Sequence, residues 1–284
     1  MEDSKFVLTE ENYYSVEANE AYCSASQYKS FIGYPFAPAC EHRAMAELRG
    51  EWKQETTKAL LIGSILDELW SGATAESLAI KFPDCISSRG STKGMLKAEF
   101  SQSFQLYQRT IKDEKFRQFM SGEKQKIFTG VIEGLPFKIK IDSFIDGVCI
   151  TDLKTTQDCS EDYRYFVPDS GERLPFYYYM AYDVQLAIYQ EITRQNTGKK
   201  LPCYIAAVDK KSHPMPRIIQ MEQNKLDEAL ENVKRNANKI IMLKNGDIKP
   251  AVRCEKCDYC RDTYECKVMS ASEFETHDIG KNDI

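Results

Sequence analysis

Apolar and polar residues alternate most regularly within the stretch 128–156. Over 137–142 the apolar members fall on every second position, which is the period of a strand that buries one face. An acidic residue followed by glycine stands at 133–134 and again at 146–147. Such pairs are strong signals for hairpin turns, because glycine tolerates positive φ. The sequence therefore predicts three short strands joined by tight turns in this stretch.

On either side of these strands the apolar residues recur with the period of a helix. This pattern predicts helices over 56–70, 176–196 and 226–243, while further strands are predicted over 202–209 and 216–221. Strands that alternate with helices favour a sheet covered by helices. We therefore expect an α/β (α+β) fold with a central mixed sheet flanked by helices and without internal repeats.

The chain has 284 residues and no long linker, which indicates one domain rather than two. Its first helix follows Ser24, which is a plausible N-cap, as is Ser26. The residues before this helix are polar with scattered aromatics, and we expect them to be a mobile lead-in. The predicted parts are a single domain over 24–266, with a helical cap at 24–70, a core at 125–245 and a cysteine-rich segment at 254–266, between tails at 1–22 and 270–284.

Composition limits the class of protein. Hydrophobic residues make up 42% of the chain and charged residues 29%, which excludes a disordered protein. The longest apolar run, 59–62, is too short to cross a bilayer, and the N-terminal residues lack the pattern of a signal peptide. We therefore expect a cytoplasmic protein without a membrane partner. The net charge of −5 argues against a general nucleic-acid coat protein but allows a local basic groove.

Two carboxylates and one lysine are candidates for chemistry. Asp142 lies on the polar face of its predicted strand, and Asp152 and Lys154 share one face of the next strand because they are two residues apart. These side chains can converge where neighbouring strands end. Paired acidic oxygens suit a hard divalent cation such as magnesium or manganese. A lysine beside that ion suits an attacking water or the charge that develops on a phosphate.

The spacing of these residues, D(x9)DLKTT, resembles the core of the PD-(D/E)XK nuclease superfamily. The likeness is to its RecB-like and RecE-like branch, and closest to phage-encoded RecE-type exonucleases. It implies a restriction-endonuclease-like core, in which Asp142, Asp152 and the carbonyl of Leu153 hold the metal. By the same resemblance, Lys154 orients or activates the water, or steadies the charge on phosphate. An acidic-x-Lys triplet alone is a weak signal, so the interpretation depends on further motifs around it.

Two helical motifs of that branch flank the strands. The branch carries Gly-x-x-x-His on a helix, where the histidine ligates the metal, and this chain has Gly63 and Asp67 in that place. Asp67 is therefore either a metal ligand or a solvated helix residue. The branch also carries Gln-x-x-x-Tyr after the acidic-x-Lys strand, which Gln185 and Tyr189 match. The resemblance implies that this pair lies beside the active site and contacts the nucleic-acid strand, and core packing is the alternative.

The cysteines near the C-terminus have the spacing of metal ligands. The chain has 10 cysteines, which in a cytoplasmic protein do not indicate disulfides. Two C-x2-C steps and one C-x5-C step link Cys254, Cys257, Cys260 and Cys266. Thiolates at such spacing favour zinc or an iron–sulfur cluster.

The resemblance bears on these cysteines as well. A subset of RecB-like nucleases binds a four-iron–four-sulfur cluster through one cysteine near the N-terminus and three in a C-terminal C-x2-C-x5-C. By this resemblance Cys40 joins Cys257, Cys260 and Cys266, and a competing set joins Cys40 to Cys254, Cys257 and Cys260. Two alternatives stay open, namely a zinc ion bound by the four C-terminal cysteines alone and plain reduced thiols.

As a whole the resemblance implies a magnesium- or manganese-dependent deoxyribonuclease that hydrolyses phosphodiesters. It is expected to be a 5′-to-3′ exonuclease on double-stranded DNA ends. Such enzymes serve phage-type recombination, in a bacterium or a phage-infected host cell, by leaving single strands for an annealing protein. A homo-oligomer is compatible with this role. The alternatives are a non-catalytic DNA-binding or scaffold protein of the same fold, and a nuclease that cuts internally or on single strands.

Overall fold

The computed structural model describes residues 6–272 and residue 274. Its helices are α1 (Val16–Ala21), α2 (Ala25–Ile32), α3 (Glu41–Leu48), α4 (Lys58–Trp70), α5 (Ala75–Lys81), α6 (Ser101–Ile111), α7 (Glu114–Phe119), α8 (Phe176–Tyr179), α9 (Tyr182–Thr197), α10 (Gln223–Asn245) and α11 (Asp258–Asp262). Its strands are β1 (Lys126–Ile132), β2 (Leu135–Ile141), β3 (Ser143–Ile145), β4 (Cys149–Thr156), β5 (Tyr165–Phe166), β6 (Arg173–Leu174), β7 (Cys203–Asp209) and β8 (Pro216–Gln220). No helix among the described residues is both long enough and apolar enough to span a membrane.

Four strands form a mixed sheet in the order β3-β4-β7-β8. The central strands β4 and β7 are parallel, whereas each edge strand is antiparallel to its neighbour. Parallel neighbours need a crossover, and α8 and α9 provide it between β4 and β7. The predicted mixed sheet flanked by helices is confirmed.

The hairpin of β1 and β2 stands apart from this sheet. Its two-residue turn, Glu133-Gly134, has positive φ at both positions (46° and 79°), as a type I′ turn requires. The chain then leaves the hairpin at Asp142 and enters the four-stranded sheet as β3. The middle one of the three predicted strands is therefore two strands, and Asp142 lies at the corner between them.

Helices cover both faces of the sheet. Ile150 and Ile205 belong to a core that includes α9, α10 and the hairpin, whereas Leu153, Ala206 and Val208 face a second core with α4, α6 and α7. The alternation of side chains along β4 and β7 produces this division. Asp152 and Lys154 have the parity of Ile150, so they lie on the face that α9 covers.

Two predicted elements differ from the structure. The helix predicted over 176–196 is divided into α8 and α9 by Ala181, which has a left-handed backbone (φ 49°, ψ 50°). On α4 the helical period predicts a buried stripe of Leu60, Leu61, Ser64, Ile65 and Leu69. Instead Ile62, Ile65 and Leu66 are buried, while Leu60 is 56% exposed. In both cases tertiary packing overrides a helical period that the sequence alone suggests.

The prediction of a mobile lead-in over 1–22 is wrong for its second half. Helix α1 is capped by Ser15, and Tyr13 is buried. The reason lies in the hairpin, where the buried Lys138 donates to the backbone carbonyl of Tyr13 and, at 2.7 Å, to Oδ1 of Asn19. A buried ammonium needs such acceptors, so this segment is fixed to the core. Residues 1–5 and, in the predicted C-terminal tail, 273 and 275–284 lie outside the described residues.

Candidate active site

Asp142 is held at the corner between β2 and β3 by the backbone of the next long strand. Its Oδ2 accepts a hydrogen bond from the backbone N–H of Leu153 at 2.7 Å. Burial raises the pKa of Asp142 well above its usual range, and the carboxylates of Asp67 and Asp152 raise it further. Like charges held this close favour either a proton or a cation between them.

Asp152 and Lys154 form an ion pair on β4, with 2.5 Å between Nζ and Oδ2. Asp152 is 1% exposed, and its Oδ1 accepts a hydrogen bond from Nε2 of Gln185 at 2.8 Å. Burial alone would lower the pKa of Lys154, but Asp152 and Asp142 together raise it. Lys154 is therefore a permanent positive charge beside the two carboxylates, and Gln185 from α9 fixes the orientation of one of them.

Asp67 comes to the same place from α4. The helix packs closely on β4 at Gly63, where a Cβ would lie 3.2 Å from Oγ1 of Thr155. One turn later, both carboxylate oxygens of Asp67 accept from Nε2 of Gln125 at 3.0 Å, and the same amide lies 3.3 Å from Oδ1 of Asp142. Burial raises the pKa of Asp67 to about 6. The mid-helix glycine thus has a packing reason, and Asp67 lies beside Asp142 rather than in solvent.

Lysines surround the carboxylates. Lys138 and Lys140 line one side of the site, and Lys29 lines the other. Burial lowers the pKa of Lys29 to about 8, and the charge of Lys154 lowers it further. Burial likewise lowers the pKa of Lys138 to about 8. Lys138 is buried and donates to Tyr13 and Asn19, whereas Lys29, Lys140 and Lys154 line the cavities, where positive groups favour binding of a polyanion.

Two cavities meet at the site. One has a volume of about 360 Å³ and the other of about 600 Å³. Both are lined by Ser26, Asp67, Asp142, Lys154 and Gln185. The candidate catalytic side chains therefore form the boundary between two open spaces, so that an extended ligand can lie in both and pass over them.

The donor set fits a hard divalent cation. Asp67, Asp142 and Asp152 offer carboxylate oxygens, the ligands that magnesium and manganese prefer. The N–H and C=O of one strand residue point to the same side, so the carbonyl of Leu153 faces the side where its N–H meets Asp142. Gln125 adds a buried Oε1 that has no hydrogen-bond partner within the described residues. A bound cation would lower the pKa values of these carboxylates and would give the Oε1 of Gln125 a partner.

The structure brings the predicted residues Asp67, Asp142, Asp152, Lys154, Gln185 and Tyr189 to one site. Tyr189 is only 8% exposed, and Gln185 contacts a carboxylate rather than open space. Their contact with a nucleic-acid strand stays a prediction. Gln125, Lys140 and Lys29 belong to the site but were missed. Only Lys140 had a sequence signal, because it lies two residues before Asp142 on the polar face of the same strand.

A second cluster lies away from this site. The sulfur atoms of Cys40, Cys254, Cys257 and Cys260 all lie within 4.8 Å of one another. In the part of the chain that the structure describes, no other group of three or more His, Cys, Asp or Glu side chains is as compact. Cys266 is exposed and lies outside the group. The structure therefore brings together the competing set of Cys40, Cys254, Cys257 and Cys260. It assembles neither of the two sets that include Cys266.

Comparisons with known proteins agree with this geometry. Residues 24–263 match the model of a family described as a PDDEXK-like domain of unknown function (DUF3799). The crystal structure of a candidate exonuclease from Eubacterium rectale is 42% identical to this chain, with a TM-score of 0.86, and the match covers 95% of this chain and 98% of that one. A solved structure described as SSO0001 is 13% identical over 77% of this chain and all of its own length, and its TM-score of 0.28 carries no argument. Among curated proteins there is no match.

Proposed function

The chain belongs to the PDDEXK-like domain family, a nuclease class, and we propose that it is a metal-dependent deoxyribonuclease acting on the ends of double-stranded DNA. One observation carries the proposal. Asp67 on α4, Asp142 between β2 and β3, and Lys154 on β4 line both cavities, and Asp152 lines the smaller one. Buried carboxylates around a lysine destabilise an apo fold, so their assembly is best explained by a cation and an anionic substrate.

Each side chain has a separate task in this proposal. Magnesium or manganese is held by Asp67, Asp142, Asp152 and the Leu153 carbonyl, and when bound it supplies charge stabilisation and a more acidic water. Lys154 keeps its proton and stabilises the negative charge that develops on the phosphate. Gln185 holds Asp152 in one orientation through its 2.8 Å hydrogen bond. Gln125 does the same for the Asp67 and Asp142 pair.

The dimensions of the site support attack on a separated strand. The larger cavity is about 600 Å³, a volume of the size that takes a small molecule or a few nucleotides. Lysines line both cavities, as a backbone-tracking path needs. In this proposal a strand separated at a free end lies along this path and passes over the carboxylates. This argument and the exonuclease description of the Eubacterium rectale relative support end-directed cleavage.

Cleavage in the 5′-to-3′ direction completes the proposal. It rests on the resemblance of Asp142, Asp152, Lys154, Gln185 and Tyr189 to RecE-type exonucleases. An enzyme of this kind would act in the cytoplasm during phage-type recombination and leave 3′ single strands for an annealing protein.

The test uses linear and covalently closed duplex DNA of one sequence, incubated with magnesium and followed over time. Linear DNA labelled at its 5′ ends should release the label at once as short products, while DNA labelled at its 3′ ends should keep the label until late. The closed circle should survive. Cleavage of the circle would indicate an internally cutting nuclease, and early loss of the 3′ label would reverse the polarity. No cleavage of any DNA by folded protein would favour the non-catalytic alternative.

A further inference from the structure

The four clustered cysteines are close enough to share one small ion. The Sγ atoms of Cys40 and Cys260 are 3.6 Å apart, those of Cys254 and Cys260 are 3.8 Å apart, and those of Cys257 and Cys40 are 3.8 Å apart. A disulfide would bring two sulfurs to about 2.05 Å, so these are separate thiols. These thiols come from two chain segments that are more than 200 residues apart in the sequence.

The distances discriminate between the two metal centres that such cysteines bind. A zinc–sulfur bond of about 2.3 Å places the four sulfurs of a tetrahedron about 3.8 Å apart. Four irons and four sulfides enclosed by the same thiolates push those thiolates to roughly 6 Å apart. Three of the six sulfur pairs lie 3.6–3.8 Å apart and all six lie within 4.8 Å, which is closer to the edge of the zinc tetrahedron than to that of the cluster. The sulfur atoms are therefore too close together for the iron–sulfur cluster that the resemblance implies.

Two of the four cysteines are deeply buried, and the local backbone holds the sulfurs in place. Cys40 and Cys260 are at most 1% exposed. The backbone N–H of Cys257 donates to Sγ of Cys254 at 3.3 Å, a second layer of the kind that orients thiolate ligands. Glu255, in the first C-x2-C step, has a left-handed backbone (φ 57°). A non-glycine residue persists in that conformation only when its surroundings hold it there.

We infer that Cys40, Cys254, Cys257 and Cys260 bind one zinc ion, which fastens the C-terminal segment to the N-terminal helices. The inference is independent of the nuclease function proposed above. All four ligand positions are protein thiolates, and a tetrahedral site without an open position is structural rather than catalytic.

Helix α3 connects the zinc site to the active site. Cys40 is the residue immediately before α3, and at the other end of that helix Glu47 and Leu48 line the smaller of the two cavities. The N-terminal and C-terminal segments also meet through one aromatic pair, Trp52 and Tyr259, whose ring centroids are 5.8 Å apart, and through polar contacts. Oε2 of Glu41 accepts from the N–H groups of Ala251 and Val252 at 2.8 and 3.1 Å. Loss of zinc should therefore loosen α3 and the wall that it contributes.

The first experiment measures metal in the full chain purified under strict anaerobiosis from cells supplied with both iron and zinc. Anaerobic handling matters because oxidation can destroy an iron–sulfur cluster and leave its thiols to take up zinc. The expected result is about one zinc per chain, no iron and no visible colour. Brown protein with about four irons per chain would overturn the inference, and so would protein without either metal.

The second experiment identifies the ligands. Cys260→Ser should lose most of the zinc and lower the melting temperature by roughly 10 °C. The matched control is Cys266→Ser, which changes a cysteine of the same segment and should keep full zinc and an unchanged melting temperature. Full zinc in Cys260→Ser, or loss of zinc in Cys266→Ser, would contradict the ligand set.

Thiol labelling of the unmutated chain covers the case in which Cys260→Ser does not fold. An alkylating reagent should modify Cys266 at once and leave Cys254 and Cys257 unmodified, although both are half-exposed in the fold. After treatment with a strong zinc chelator, the same two cysteines should become reactive, as peptide mass spectrometry can follow. Equal reactivity of Cys254, Cys257 and Cys266 before chelation would show that no metal protects them.

Discussion

The carboxylate site and the zinc cage, formed by Cys40, Cys254, Cys257 and Cys260, arrange their metal-binding side chains in opposite ways. Asp67, Asp142 and Asp152 line open cavities, and side-chain donors from Gln125, Gln185 and Lys154 stand between or beside them. The four sulfurs of the cage all lie within 4.8 Å of one another, and the zinc inferred there takes all four as its ligands. The difference is that between a hard, exchangeable cation at an open site and a soft, permanent one at a closed site. One chain therefore contains a site built for reaction and a site built for attachment.

Brief treatment with EDTA should separate the two sites completely. Magnesium at the open site exchanges quickly, so DNA cleavage should fall by more than about a thousandfold and return when magnesium is added. Zinc in the closed cage should stay through the same treatment. Cleavage and bound zinc are measured in one sample. Simultaneous loss of both, with recovery only after zinc is added, would mean that the cage takes part in the reaction.

Asp152→Asn should reduce cleavage by about a thousandfold or more, because it removes a metal ligand while keeping the side chain's size. Alanine is a poorer choice, since Asp152 is buried and alanine would also remove the oxygen that accepts the hydrogen bond of Gln185. Zinc content should not change, which shows that the two sites are independent.

The matched control for Asp152→Asn is Asp146→Asn, an exposed carboxylate in the turn that precedes the same strand. It should cleave DNA at the normal rate. Full activity in a folded Asp152→Asn protein would end the assignment of the site.

Asp67→Asn should raise the magnesium concentration needed for half-maximal cleavage by about tenfold, because one charged oxygen is lost from the open site. Asp67→His should recover part of the activity and favour manganese, since imidazole suits that ion better than magnesium. Titration of cleavage against each metal measures both effects. Glu68→Gln is the control, as Glu68 pairs with Lys81 instead. An unchanged magnesium requirement in Asp67→Asn would make Asp67 a positioning residue only.

The smallest expected effect is the pH dependence of the stability of the magnesium-free protein. The folded pKa of Asp67 is about 6, raised by burial and then by the carboxylates of Glu68 and Asp152, against about 3.9 in an unfolded chain. The folded state thus binds more protons than the unfolded state between these values, so this carboxylate's contribution to stability falls as pH rises through about 6. Asp142, with its pKa raised in the same direction, acts with the same sign.

The melting temperature of the magnesium-free protein, with its zinc in place, should therefore drop by a few degrees between pH 5 and pH 8. Magnesium should restore it at pH 8 and have little effect at pH 5, because the ion needs the ionised carboxylates. Asp67→Asn should reduce the drop. A magnesium-induced rise that is as large at pH 5 as at pH 8 would show that the open site does not titrate in this range.

Local patterns in the sequence determined the parts of this protein that depend on near neighbours. The alternation over 137–142, the Glu133-Gly134 turn and the cap at Ser24 are set by residues within a few positions, and the structure has all three. The order of Asp142, Asp152 and Lys154 was enough to predict one site, because strand geometry fixes which side chains share a face.

Only the tertiary structure decided which distant groups meet. The sequence could not choose between Cys254 and Cys266, since both have metal-binding spacing and their distance from Cys40 depends on how the chain ends pack. Gln125 carries no motif, yet it joins Asp67 to Asp142 across elements 75 residues apart. The spacing of residues along the chain determines which of them can share a face of one helix or strand. Distances between elements come from packing the whole core, and there the sequence alone leaves several arrangements open.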